Sequence, residues 1–117
     1  MNPHRTRRRR DDGAALRYLA LWRAHVERTE NRVRRGDPGR PCAPLRLREG
    51  HTDCPACDGE LLDDSRLRLE RLIRNGGRRR HRLAVEVQRL DERYREVTTE
   101  IAALPTLPWW NRRMPWR

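Results

Sequence analysis

The 117-residue chain contains no lysine and no phenylalanine, and Leu, Ile and Val together supply only 21 residues. With a formal net charge of +11, this composition lies close to that of disordered proteins. A core large enough to enclose a catalytic pocket is therefore not expected. The sequence also shows no acid–base pair, no nucleophile beside a base and no phosphate-binding loop. These absences predict a protein that is not an enzyme.

Cysteine is also scarce, and no apolar run approaches the roughly 18 residues that a membrane-spanning helix needs. The three cysteines are an odd number, and two of them are separated by only two residues. A disulfide framework fits this pattern poorly, whereas reduced thiols that bind a metal fit it well. We therefore expect a cytoplasmic protein.

The positive charge is concentrated at the two ends of the chain. The 28 basic residues are all arginine, as expected of a GC-rich genome, but their excess over 17 acidic residues needs another explanation. The first ten residues carry five arginines and no acid, and the last thirteen carry three arginines and no acid. The two tails are thus predicted to dominate the electrostatics.

Hydrophobic periodicity predicts helices on both sides of a central loop. Residues 12–35 carry a stripe with helical spacing, formed by Ala15, Leu19, Trp22, Val26, Thr29 and Val33. Residues 61–104 carry a second, heptad-like stripe, formed by Leu83, Val87, Leu90, Tyr94, Val97, Ile101 and Leu104. Asn75-Gly76-Gly77 is a helix-stop signal, which favours two helices, 63–74 and 78–104, over one long helix.

These patterns predict an all-α protein, an antiparallel, coiled-coil-like helical hairpin. Its 12–104 body pairs residues 14–35 with 83–104, and the loop at 36–60 joins the two sides. A flexible basic arm at 1–11 and a Pro/Trp/Arg-rich tail at 105–117 flank this body. Dimerisation through the second stripe remains an alternative to the hairpin.

The central loop carries a candidate metal site. Structural zinc takes four tetrahedral ligands, commonly three Cys and one His. The loop offers that set in Cys42, His51, Cys54 and Cys57. The segment Cys54-Pro55-Ala56-Cys57-Asp58-Gly59 resembles a zinc knuckle, which implies a metal-binding turn holding one structural zinc ion. A shared ion between two chains, as in zinc hooks, and a redox-active thiol pair are the alternatives.

Two arginine clusters are candidates for binding nucleic acid. The first, in the arm, consists of Arg5, Arg7, Arg8, Arg9 and Arg10, and the second consists of Arg78, Arg79, Arg80 and Arg82. Basic runs of this length often bind DNA or RNA through phosphates. Cations at a helix start are unfavourable unless an anion accompanies them. The alternative for both clusters is a solvated surface.

The C-terminal tail combines aromatic and cationic residues, namely Trp109, Trp110, Arg112, Arg113 and Trp116. It resembles antimicrobial peptides of the indolicidin kind, which implies binding at a membrane interface. The same residues suit a protein partner or unpaired bases. The tryptophans could equally fold back and extend a thin core.

Together these features predict a small zinc-stabilised protein that binds nucleic acid mainly through its backbone phosphates. The first alternative is an adaptor that docks on a larger protein assembly through the hairpin or the tail. The second alternative is peripheral attachment to a membrane through the tail.

Overall fold

A computed structural model describes residues 3–37, 64–100 and 108–115, and these residues are mostly helical. Three α-helices account for most of them: α1 Pro3–Arg35, α2 Ser65–Gly76 and α3 His81–Glu96. Short 3₁₀ helices occupy Gly77–Arg80 and Trp109–Asn111. Two short antiparallel strands, β1 Thr98–Glu100 and β2 Arg113–Pro115, pair with Thr99 opposite Met114.

Helix α1 begins earlier than the sequence suggested. Proline is well suited to the first turn of a helix, and α1 starts at Pro3 instead of residue 12. The helical backbone therefore includes residues 3–11, which the sequence predicted as a flexible arm. Among the described helices, none is both long and apolar enough to cross a lipid bilayer.

The glycine pair ends α2, as the sequence predicted. Gly77 has φ 55° and ψ −136°, a backbone conformation that side chains with a Cβ avoid. A Cβ on Gly76 would collide with the side chain of Arg80. The segment after residue 64 thus forms two helices, although α3 ends at Glu96 and residues 98–100 form β1 instead of continuing the helix to 104.

The helix directions differ from the predicted hairpin. Arg80 pairs with Asp12 at 3.1 Å and Arg93 pairs with Glu30 at 2.6 Å, so the contacts advance together along α1 and α3. These two helices are therefore parallel. Arg66, near the start of α2, bonds Asp91, near the end of α3, so α2 is antiparallel to α3. The predicted antiparallel pairing of 14–35 with 83–104 is thus wrong, because α2 reverses the chain between them.

The core combines one face of each helix with the tail. On α1, the predicted stripe is buried from Ala15 to Thr29, and Trp22 and Val26 are fully enclosed. The rest of the buried core cluster comes from the later elements, as Leu69, Val87, Leu90, Tyr94 and Trp110. Trp22 meets Tyr94 edge-on at 5.0 Å between ring centroids, a geometry that aromatic pairs favour.

Candidate nucleic-acid interface

A groove between α1 and α2 brings exposed arginines of α2 together with Arg79 from the predicted second cluster. It has a volume of about 570 Å³ and no acidic residue among its lining side chains. Helix α2 contributes residues with helical spacing, so they lie on one face. The lining residues are Ala14, Tyr18, Arg68, Arg71, Leu72, Asn75 and Arg79. We call this surface the basic groove.

Tyr18 of the basic groove lies beside two arginines, Arg17 and Arg68. Arg17 donates a hydrogen bond to the Tyr18 hydroxyl at 3.3 Å. This hydrogen bond, with a smaller contribution from the charge of Arg68, lowers the pKa of Tyr18 against the opposing effect of burial. The guanidinium carbons of Arg17 and Arg68 lie 5.1 and 5.5 Å from the centre of the Tyr18 ring. Tyr18 therefore helps to position two arginines.

The arginines of the basic groove are available to an external anion. Arg68, Arg71 and Arg79 are exposed. Within 3–37, 64–100 and 108–115, no ion pair joins any of the three to a carboxylate. By contrast, neighbouring Arg74 bonds Glu70 at 3.2 Å. The groove therefore offers positive charge that described carboxylates do not neutralise.

The structure divides the cluster predicted at 78–82. Arg78, Arg79 and Arg82 are exposed, as a phosphate contact requires. Arg80 is buried and bonds Asp12, so its charge joins the 3₁₀ helix that precedes α3 to α1. Arg10 is exposed on α1. Arg5, Arg7, Arg8 and Arg9 lie in the first turns of α1.

Arg68, Arg71 and Tyr18 do not belong to any contiguous run of arginines, so the basic runs of the sequence do not indicate them. Helical spacing of polar residues was the sequence pattern that could have indicated the α2 members of this set. Arg68, Arg71 and Asn75 follow helical spacing along α2, and this spacing places them on one face without any run of arginines. The contribution of Tyr18 from α1 required knowledge of how the helices pair.

A buried ion pair, Arg66 with Asp91, joins α2 to α3, and a hydrogen bond from Trp22 extends it to α1. Arg66 donates to both carboxylate oxygens of Asp91, at 2.9 and 2.7 Å, and to Glu70 at 2.8 Å. The indole N–H of Trp22 donates to Asp91 at 3.1 Å. Burial opposes the charge of Arg66, but the hydrogen bonds and charges of Asp91 and then Glu70 raise its pKa. These groups hold the helices that shape the groove.

The tail residues predicted to bind a partner contact the protein itself. Trp110 is buried under the Arg66 guanidinium, whose carbon lies 4.5 Å from the ring centroid. The Trp109 ring lies 3.9 Å from the guanidinium carbon of Arg95. Arg113 bonds Thr98 at 2.7 Å and Arg112 pairs with Glu100 at 3.7 Å. The ring of Trp110 thus extends the core; Trp116 lies outside the described residues.

The predicted zinc ligands cannot be placed in this arrangement. Cys42, His51, Cys54 and Cys57 all belong to 38–63, outside the described residues. Within 3–37, 64–100 and 108–115, no group of three or more His, Cys, Asp or Glu side chains could hold a metal ion. The zinc site therefore stays a prediction from the sequence.

Comparisons with protein-family models, with curated proteins and with solved structures found no match for this chain.

Proposed function

We propose that this chain is a small, non-enzymatic nucleic-acid-binding protein that contacts backbone phosphates through the basic groove. The observation that carries the proposal is the presence of Arg68, Arg71 and Arg79 around one groove without an acidic residue. Exposed Arg78 and Arg10 add positive charge outside it. Arginine suits this role because its planar guanidinium can donate two hydrogen bonds to one phosphate.

The dimensions of the basic groove suit a phosphate backbone. From Arg68 to Asn75 helix α2 advances seven residues, or about 10 Å. One DNA strand presents a phosphate about every 3.4 Å along the helix axis, so this length faces about three phosphates. The side chains of the groove favour backbone contacts, because arginines cover the Tyr18 ring and reduce its access to bases. Binding should therefore depend weakly on sequence and strongly on salt.

A pair of neutralising substitutions tests the groove directly. Arg71→Gln removes a groove cation, whereas Arg74→Gln removes an equal charge that is already paired with Glu70 on the same helix. Binding to a labelled 20-base-pair duplex is measured by fluorescence anisotropy at several salt concentrations. We expect Arg71→Gln to weaken binding and reduce the salt slope by about 1, because one phosphate contact is lost.

Arg74→Gln should remain near the wild type in both affinity and salt slope. Equal losses in the two variants would contradict the assignment, because they would report net charge alone. Circular dichroism of both variants checks that the helices are retained.

We further propose that Cys42, His51, Cys54 and Cys57 hold one structural zinc ion. Three thiolates and one imidazole form a complete tetrahedral set, and four protein ligands leave no open position for catalysis. Thiolate ligands persist in a reducing compartment, which accords with a cytoplasmic location.

Metal analysis of the purified chain tests the zinc proposal. We expect about one zinc ion per chain, and Cys54→Ser should abolish stoichiometric binding because it removes one of the four ligands. About half an ion per chain, with dimerisation, would instead favour a site shared by two chains. Metal-free protein that is fully folded would contradict the proposal.

A further inference from the structure

A second groove, between α1 and α3, has a different character from the basic groove. Its volume is about 840 Å³, and its floor is apolar, with Leu16 and Leu19 from α1 and Leu83 and Val85 from α3. Leu16 is 69% exposed, and it is the one large hydrophobic side chain of the described residues that is mostly exposed. We call this surface the apolar groove.

The unneutralised charge around the apolar groove is positive. Its two acidic residues already have partners, since Asp12 bonds Arg80 at 3.1 Å and Glu86 lies 3.8 Å from both Arg23 and Arg89. Arg79 and Arg82 are exposed on its border. Neither forms an ion pair with any carboxylate that the structure describes. An apolar floor thus lies between free cations.

We propose that the apolar groove binds an amphipathic helix from an acidic protein partner. Two helices already flank the groove, and a third can place apolar residues on Leu16 at three- or four-residue spacing. From Arg82 to Arg89, α3 advances seven residues, about 10 Å, which corresponds to two helical turns. Acidic residues beside the apolar face of the partner would meet Arg79 and Arg82, and this charge complementarity would fix its orientation.

The same features disfavour two other occupants. A second copy related by two-fold symmetry would bring its own arginines toward Arg79 and Arg82, because such an interface uses the same patch twice. Phosphates of a nucleic acid would gain nothing from an apolar floor, since burying them there removes their hydration. An acidic amphipathic helix would place apolar side chains on the apolar floor and carboxylates beside the arginines of the border.

A synthetic peptide provides the first test. The probe is a fluorescent 18-residue helix of Leu, Ala and Glu, with leucines along one face and glutamates beside them. We expect saturable binding by the full chain, and at least a tenfold loss in Leu16→Gln because a buried leucine contact is removed. Leu16→Met should retain the affinity. Arg71→Gln lies in the other groove and should also retain it.

A charge reversal provides the second test. Arg82→Glu should lower the affinity of the protein for the glutamate peptide and raise its affinity for a matched lysine peptide. The substitution adds an acid near the start of α3, where the helix dipole favours it, so folding should not suffer. Equal binding of the two peptides by the wild type, or unchanged binding by Leu16→Gln, would overturn the proposal. Two other outcomes would assign the groove to a different occupant and also overturn the proposal. One is a dimer that Leu16→Gln abolishes, and the other is binding to phosphatidylserine vesicles that the same substitution abolishes.

Discussion

Arg66 is the side chain at which the described parts of the molecule meet. It bonds Asp91 of α3, shares that carboxylate with Trp22 of α1, and lies over Trp110 of the tail. A bidentate arginine–carboxylate pair is strong, but both partners are buried and therefore depend on each other. No sequence pattern indicated this pair, because its members are 25 residues apart.

Removing Arg66 should destabilise the fold strongly. Arg66→Met leaves the Asp91 carboxylate buried without its cationic partner. Of the two side chains that donate hydrogen bonds to it, Trp22 alone then remains. We expect the free energy of unfolding to fall by about 3 kcal/mol, the usual cost of breaking a buried ion pair. Urea denaturation followed by circular dichroism measures it. The control Arg74→Met removes a side chain that is 77% exposed and should change stability by less than about 0.5 kcal/mol. Similar losses in both variants would refute this role of Arg66.

Glu70 should make part of the stability pH-dependent. Burial opposes its charge, yet the hydrogen bond and charge of Arg66, aided by Arg74, lower the pKa of Glu70. A lowered carboxyl pKa stabilises the fold above the unfolded value of about 4.3 and loses this effect as pH falls through the lowered pKa. Glu70→Gln should therefore cost about 1 kcal/mol near pH 7, and this cost should shrink as the pH falls through the lowered pKa of Glu70. A cost that is independent of pH, measured by urea denaturation, would contradict this.

The elements show which local signals decided the structure. The effect of the glycine pair could be predicted from the sequence because it depends on backbone conformation alone. The buried stripe on α1 could be predicted because its period matches a helix. The sequence pattern did not predict where α3 ends. Val97 continues the heptad, but β1 pairs with β2 from the tail, and Tyr94 bonds the Trp110 carbonyl at 3.2 Å. Contacts with a distant segment therefore overrode the local period.

Two glycine substitutions test this local control. Gly77→Ala places a Cβ at φ 55°, and we expect a loss of about 1 to 2 kcal/mol. Gly13→Ala adds a Cβ with no atom within 4 Å inside α1, and it should gain about 0.5 to 1 kcal/mol. Thermal or urea unfolding of both variants measures the difference. Unchanged or raised stability of Gly77→Ala would contradict the role assigned to the positive φ of Gly77.

The whole molecule places its two grooves on different sides of α1. The helix directions that create these grooves were not predictable, because the heptad pattern is compatible with either orientation of 14–35 and 83–104. Once α2 reverses the chain, Arg68 and Arg71 line one groove with Tyr18, while Leu16 and Leu83 line the other. The excess of positive charge could be predicted from the composition, but its distribution over the surface depends on how the helices pack.

The most direct test of the proposed function is the salt dependence of nucleic-acid binding by the wild-type chain. A labelled duplex and a single strand of equal length are titrated between about 50 and 200 mM salt. Contacts of the basic groove with about three phosphates predict a slope near −2.7 for the duplex in a plot of log affinity against log salt. No binding at about 50 mM salt, or an affinity that does not change with salt, would contradict phosphate recognition.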